Sequence, residues 1–172
     1  MKVLLHICCG VCAAGAAEQL LSEGFEVTGY FHNPNIYPYE EYLRRLEAAQ
    51  KVAGEMGFPL EEGLYKADEW MTKTESLKEE PEGGKRCEVC FRYRLEETYE
   101  RLLNSDIDCF TTTLTIGPRK PAGIVNRIGL EVGGDRFLTR DFKKKAGFQR
   151  ATTLAKDWGI HRQHYCGCIY SM

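Results

Sequence analysis

The sequence predicts an α/β fold: a single doubly wound, mainly parallel sheet with cysteine-bearing loops at its carboxyl edge. Three observations carry that expectation. Short apolar or β-branched runs at 3–7 (VLLHI), 25–31 (FEVTGYF) and 108–114 (DCFTTTL) read as strands. Segments whose apolar residues recur at helical spacing stand between them. Tight groups of cysteines follow the first strand, open a central helix and close the chain. Strands alternating with helices give parallel sheets of the Rossmann-like or HUP-like kind.

The first strand meets Cys8, Cys9 and Cys12 at its end, Gly10 gives the turn, and an alanine-rich helix is expected from residue 13. Open α/β sheets keep their ligands beyond the carboxyl ends of the strands. A helix start there adds unpaired N–H groups and a positive dipole end, which favour thiolate over thiol. The second strand ends in HNPNIYP, a turn rich in proline and asparagine. Residues 40–56 read as a helix, because Tyr39, Tyr42, Leu43, Leu46, Ala49, Ala53 and Met56 keep its spacing, and Gly57-Phe58-Pro59 stops it. A short strand over 60–65 and a helix over 67–77 follow.

The polar loop 79–85 (EEPEGGK) delivers the chain to a strong helix over 87–103, with Phe91, Leu95, Thr98 and Leu102 as its apolar face. Cys87 and Cys90 lie three apart in its first turn and so share one side. After the buried strand, Gly117-Pro118-Arg119-Lys120-Pro121 ends the run. A helix over 122–131, a last strand at 137–138 and a helix over 143–158 complete the expected order. The tail, 161–172, holds Cys166-Gly167-Cys168 and no regular period.

A chain of 172 residues predicts one domain, 1–172, with room for a proper core. The net charge of −2 gives no global pull towards nucleic acid or membrane, so a polyanionic partner must meet a local patch. Met1-Lys2 with the apolar run after it faintly resembles a signal peptide, but one lysine is a poor positive region, and His6 and the cysteines interrupt the apolar stretch. No run reaches the roughly 18 apolar residues of a membrane-spanning helix. A cytoplasmic protein is expected, and there paired thiols mean metal or redox work.

Eight cysteines, about 5% of the chain, fall below the density of disulfide scaffolds. Seven lie in three tight groups far apart in sequence, which suits metal ligation. Seven exceed the four that one zinc or one [4Fe–4S] cluster requires. The surplus implies a second metal or a redox pair, and Cys166-Gly167-Cys168 suits either. Structural zinc with spare buried thiols is the plainer alternative. Cys109, alone in an apolar strand, reads as core. His6 and His32, ending strands near the pocket, read as hydrogen-bonded partners.

Asp141 reads as the N-cap of the last helix, as a salt-bridge partner or as an oxygen ligand for a second iron. Arg44, Arg45, Arg86, Arg94, Arg119 and Lys120, with Lys85, Arg92, Lys143, Lys144, Lys145 and Arg150, suggest a basic rim, which makes nucleic acid a candidate partner.

Five motifs together resemble one family. Cys8-Cys9-x-x-Cys12 follows the first strand, and Asn33-Pro34-Asn35-Ile36-x-Pro38-x-x-Glu41-Tyr42 follows the second. Arg86-Cys87-x-x-Cys90-Phe91-x-x-Arg94-Leu95 opens the central helix, Thr112-Thr113-Leu114 ends the fourth strand, and Tyr165-Cys166-Gly167-Cys168-x-Tyr170-Ser171 closes the chain. The set resembles the QueH family of cobalamin-independent epoxyqueuosine reductases.

The resemblance implies an iron–sulfur oxidoreductase that removes the epoxide oxygen of epoxyqueuosine at the tRNA wobble position, giving queuosine. It implies a [4Fe–4S] cluster on Cys8, Cys9, Cys87 and Cys90. It makes Cys166 and Cys168 a redox-active disulfide pair, or ligands of an adjacent mononuclear iron helped by Asp141 or Cys12. The implied partners are the tRNA anticodon stem-loop and an electron donor of ferredoxin- or flavodoxin-like kind, with no membrane. Tyr37, His32 and Tyr165 are candidates for the proton donor or for base stacking. A zinc-stapled RNA-binding module, a thiol–disulfide oxidoreductase working through Cys87 and Cys90, and a nucleotide-binding tRNA-thiolating enzyme are the rivals. Against the last, the first loop carries cysteines where a phosphate cradle needs glycine and serine.

Overall fold

A four-stranded, wholly parallel sheet in the order β3-β2-β1-β4 forms the centre of the computed structural model, which describes residues 1–172. The strands are β1 (Lys2–His6), β2 (Glu26–Phe31), β3 (Leu60–Glu62) and β4 (Cys109–Thr112). β1 pairs on both sides, Val3 with Val27 and with Cys109. Val3, Leu4 and Leu5 are accordingly fully buried, as an apolar run in a strand covered on both faces should be.

Six helices cover the sheet: α1 (Gly10–Ser22), α2 (Tyr39–Met56), α3 (Ala67–Thr74), α4 (Lys85–Leu103), α5 (Ala122–Gly133) and α6 (Gly147–Asp157). α1 packs with α2 and α6, whereas α4 packs with α5 and crosses β1 and β4. β2 and β3 lie on one side of β1 and β4 on the other. Right-handed crossovers running in opposite directions put their helices on opposite faces, which makes the fold doubly wound. The strand order therefore reverses between β1 and β4, and the loops leaving these two strands part to form a crevice at the carboxyl edge. No helix is long and apolar enough to cross a membrane.

Packing overrides local pattern in three places. Helix α6 starts at Gly147 and not at 143, with Lys145 and Ala146 in left-handed backbone (φ 57° and 59°). A side chain at Gly147 would bring its Cβ within 1.6 Å of the Phe142 carbonyl oxygen, so only glycine fits where this turn opens the helix. Asp141 is thus not the helix N-cap. It accepts from the Lys143 N–H (3.1 Å) and lies 3.7 Å from the Lys143 ammonium, a salt bridge as the second reading had it. Residues 137–138 make one parallel bridge, Phe110 to Phe137, and no strand, because Arg140 N–H turns away to Asn126. β3 stops at Glu62, since the chain leaves the sheet to seat the Tyr65 hydroxyl on the Ile36 carbonyl.

Candidate metal centre

Cys9 is the N-cap of α1, and its sulfur accepts from the Cys12 N–H at 3.4 Å. A thiol here occupies the place usually held by serine or aspartate, where the helix end favours negative charge. The sulfurs of Cys8, Cys9 and Cys12 all lie within 4.8 Å of one another. Thr113, just past β4, accepts from the Cys8 N–H (3.0 Å) and donates to the Cys8 sulfur (3.1 Å), so the β4 end sets the position of the β1 loop.

The three thiols do not share charge equally. Hydrogen bonds from Cys12 and Cys9 hold Cys8 well below the ordinary thiol range against the effect of burial, and Lys120 and Thr113 add to this. Cys9 is lowered by Cys12, but its bond to Cys8 and its burial outweigh that and push it up to about 12. Cys12, bonded to Cys8 and Cys9, is held well above the usual range. Of the three, Cys8 has the surroundings that most favour the thiolate, the form that binds metal.

One cysteine from each group, Cys12, Cys87 and Cys166, lines a single cavity of about 250 Å³. The second member of each later pair lies deeper: Cys90 and Cys168 are buried together against Trp70. All eight cysteines are free thiols. Cys87 accepts from the Gly83 N–H at 3.1 Å, yet burial pushes its thiol up. Burial does the same to Cys90, although Arg94 pulls it down. Cys109 lies at the opposite edge of the sheet, beside Met1 and Lys2, and is buried core as expected.

Two cations face these sulfurs. Arg94 is buried with its Nε and one terminal nitrogen lacking any acceptor, its one side-chain partner being Asn33 Oδ1 at 3.3 Å. Burial lowers the guanidinium, but the sulfurs of Cys90, Cys166, Cys8 and Cys87 outweigh it and hold it above its ordinary value. Lys120, on the cavity wall, is lowered by burial and raised more strongly by Cys166, Cys8 and Cys12. A buried cation without a carboxylate costs several kcal/mol unless an anion faces it. The anions available to Arg94 are sulfurs, and four thiolates around an iron–sulfur core would supply them. This donor set fits such a group.

The basic rim is smaller than the sequence suggested. Arg45, Arg86 and Arg94 are buried. Arg86, Cys90, Arg94 and Thr98 form a stripe of four-residue spacing along the inner face of α4. Arg86 donates to the carbonyls of Leu77, Lys78 and Glu80 and so ties down the loop before α4. Arg162, absent from the expected rim, lines the cavity with Arg119 and Lys120.

Arg45 holds the tail. Its Nε donates to Glu41 (3.1 Å), and its two terminal nitrogens donate to the carbonyls of Cys166 (2.7 Å) and Tyr165 (2.9 Å). The Gly167 carbonyl accepts from the Tyr37 N–H at 2.8 Å, and Gly167 itself has φ 138°. A Cβ on Gly167 would lie 2.7 Å from the Arg45 guanidinium. Gly167→Ala is therefore expected to cost about 1–3 kcal/mol, from backbone strain and the displaced guanidinium together. Urea denaturation should show it as a lower midpoint at unchanged slope.

His6 is satisfied, bonded through Nδ1 to Thr112 (2.9 Å) and through Nε2 to the His32 carbonyl (3.0 Å). His32 is not: both ring nitrogens are buried without a partner, and its ring stacks between Tyr30 and Tyr93. Burial, followed by His6 and Arg94, drives His32 to about 3, and burial, followed by Arg94, drives His6 to about 4. Neither imidazole is among the residues that line the cavity. Tyr165 lines the cavity and donates to the Tyr37 carbonyl, and Tyr37 is half exposed outside it. Asp141, paired with Lys143, is not among the residues lining the cavity.

The family model described as epoxyqueuosine reductase QueH matches residues 3–172. A protein named epoxyqueuosine reductase QueH from Streptococcus pyogenes serotype M1 is 36% identical over 99% of this chain and 70% of its own length. One of the same name from Thermotoga maritima is 36% identical over 99% of this chain and 90% of its own. Among solved structures, the U34-tRNA thiolase NcsA from Methanococcus maripaludis with its [4Fe-4S] cluster superposes with a TM-score of 0.58 at 15% identity, covering 100% of this chain and 61% of that one. That last likeness is one of fold.

Proposed function

The chain belongs to the epoxyqueuosine reductase QueH family, and from that premise we propose that it reduces epoxyqueuosine in tRNA to queuosine. The reaction consumes two electrons and two protons, breaks the epoxide carbon–oxygen bonds and releases the oxygen as water. The observation that carries this reading is the meeting of Cys12, Cys87 and Cys166, from the start, middle and end of the chain, at one cavity beside the buried Arg94 and the half-buried Lys120.

Cys8, Cys9, Cys87 and Cys90 are the residues that would hold a [4Fe–4S] cluster. Cys166 and Cys168 serve as a redox pair or, with Cys12 or Asp141, as ligands of an adjacent iron. Bound there, the cluster supplies electrons one at a time from a ferredoxin- or flavodoxin-like donor. The chain's own residues do the rest. Arg94 and Lys120 balance the negative charge of the thiolates. Val11, Phe91 and Phe148 give the cavity apolar walls against which an unstacked base can rest. Of Tyr37, His32 and Tyr165, only Tyr165 lines the cavity, and because its hydroxyl donates to the Tyr37 carbonyl its ring serves for stacking against the base. A tRNA substrate assigns this work to the cytoplasm.

Protein purified without oxygen should be brown and contain iron and acid-labile sulfide in near-equal amounts. It should convert epoxyqueuosine-containing tRNA when given a reductant. Cys8→Ser and Cys87→Ser are each expected to lose both the colour and the turnover. Full turnover by iron-free protein would end this scheme, and a colourless zinc protein that binds tRNA without converting it would favour the stapled RNA-binding module.

A further inference from the structure

Seven of the twelve arginines meet a carboxylate. Arg86 and Arg136 grip main-chain carbonyls, and Arg94 reaches Asn33. Arg119 and Arg162 alone contact no acceptor. Both are exposed, they come from separate segments of the chain, and both line the thiol-bearing cavity. Glu82 lines the same cavity and pairs with neither; Lys120, Gln163, His164 and Tyr165 are further polar residues of its wall.

We propose that Arg119 and Arg162 form a clamp for the phosphodiester groups flanking the nucleotide whose base enters the cavity. This rests on the reductase reading above and names the part of the RNA that the site grips. At about 250 Å³ the cavity lies just below the roughly 300 Å³ at which small-molecule sites begin. It takes one base and leaves the sugar–phosphate chain at the mouth, where the two guanidiniums stand. A guanidinium fork matches phosphate geometry and stays charged at all working pH values. In a protein of net charge −2, two uncompensated arginines at this one opening provide the local attraction for a polyanion that the chain as a whole lacks. Phosphate contacts fix position and register, while base contacts fix identity.

The test uses full-length protein and a synthetic anticodon stem-loop RNA, with or without epoxyqueuosine, read by fluorescence anisotropy across a salt series. Arg119→Gln and Arg162→Gln are each expected to raise Kd about tenfold, a charged hydrogen bond's worth. Each should flatten the plot of log affinity against log salt by about 0.7. Arg119→Lys and Arg162→Lys should retain most of that slope while losing part of the affinity. Arg150→Gln, an exposed arginine paired with Glu18, should change neither. Wild-type Kd and slope in both glutamine variants would overturn the clamp, while turnover of the modified RNA by wild type would still uphold the reductase. An equal loss in Arg150→Gln would overturn it too, by reducing the effect to net charge. RNA binding that depends on both arginines, with no turnover by wild type, would uphold the clamp and sink the reductase reading.

Discussion

Arg45→Met is expected to lower the folding free energy by about 3 kcal/mol, the lower end of what breaking one side of a buried ion pair costs. The guanidinium is 2% exposed and serves three acceptors in two parts of the chain. Removing it strands the carbonyls of Tyr165 and Cys166 and takes from the buried Glu41 carboxylate one of its partners. Glu41 retains His161 at 2.8 Å and Arg44 at 3.2 Å, which is why the lower figure applies. Burial raises the Glu41 carboxyl, and bonds from His161 and Arg45 overcome this and hold it low. For a chain of this length the loss corresponds to a Tm lower by roughly 6–12 °C in calorimetry. If the unpaired carboxylate is the cause, Glu41→Gln combined with Arg45→Met should recover part of the loss. A Tm within a degree of wild type would refute this account of how the tail is held. Because Cys166 and Cys168 sit on that tail, the single variant should also lose reductase turnover out of proportion to its stability at room temperature.

Acid should unfold the protein early, because two buried imidazoles, His6 and His32, resist protonation in the folded state, and His32 does so more strongly. Its pKa falls from an ordinary value near 6.5 to about 3 on folding, so the unfolded chain takes up a proton that the folded one refuses. The neutral ring's stability is fully present above pH 6.5 and drains away as pH falls towards 3. By pH 4 this amounts to roughly 3 kcal/mol. His32→Phe should keep the stack between Tyr30 and Tyr93 while removing two buried nitrogens that have no partner. Neutral or improved stability at pH 7 is expected, with a distinctly shallower decline between pH 6 and pH 4. Urea midpoints at the two ends of that range decide it: an acid limb unchanged by the substitution would show that the proton goes elsewhere.

Much of the fold was legible because its signals are periodic. β-branched runs marked β1, β2 and β4, and helical spacing marked α2 and α4 almost to the residue. The meeting of the cysteine groups was legible too, since parallel strands deliver their following loops to one edge. The fates of Arg45, Arg86 and Arg94 were harder to read. Long cations sit on surfaces as a rule, and only their places within apolar stripes, Arg45 beside Tyr42, Leu46 and Ala49 and the others in step with Cys90 and Thr98, pointed inward. The start of α6 was illegible, because it depends on the backbone of Gly147 pressing on Phe142, a contact with no local signature. Arg162 carried no signal either. Its meaning appears only when its lack of a partner is set beside the saturation of nearly every other arginine.

The thiol-bearing cavity draws its walls from Val11 and Cys12 at one extreme and Cys166 at the other, with the latter pinned by a guanidinium from α2. No nascent chain still threaded through a ribosome can close it. The cavity therefore closes only after residue 166 has been made, and a polypeptide cut short before it would lack one of the three thiols that line the wall.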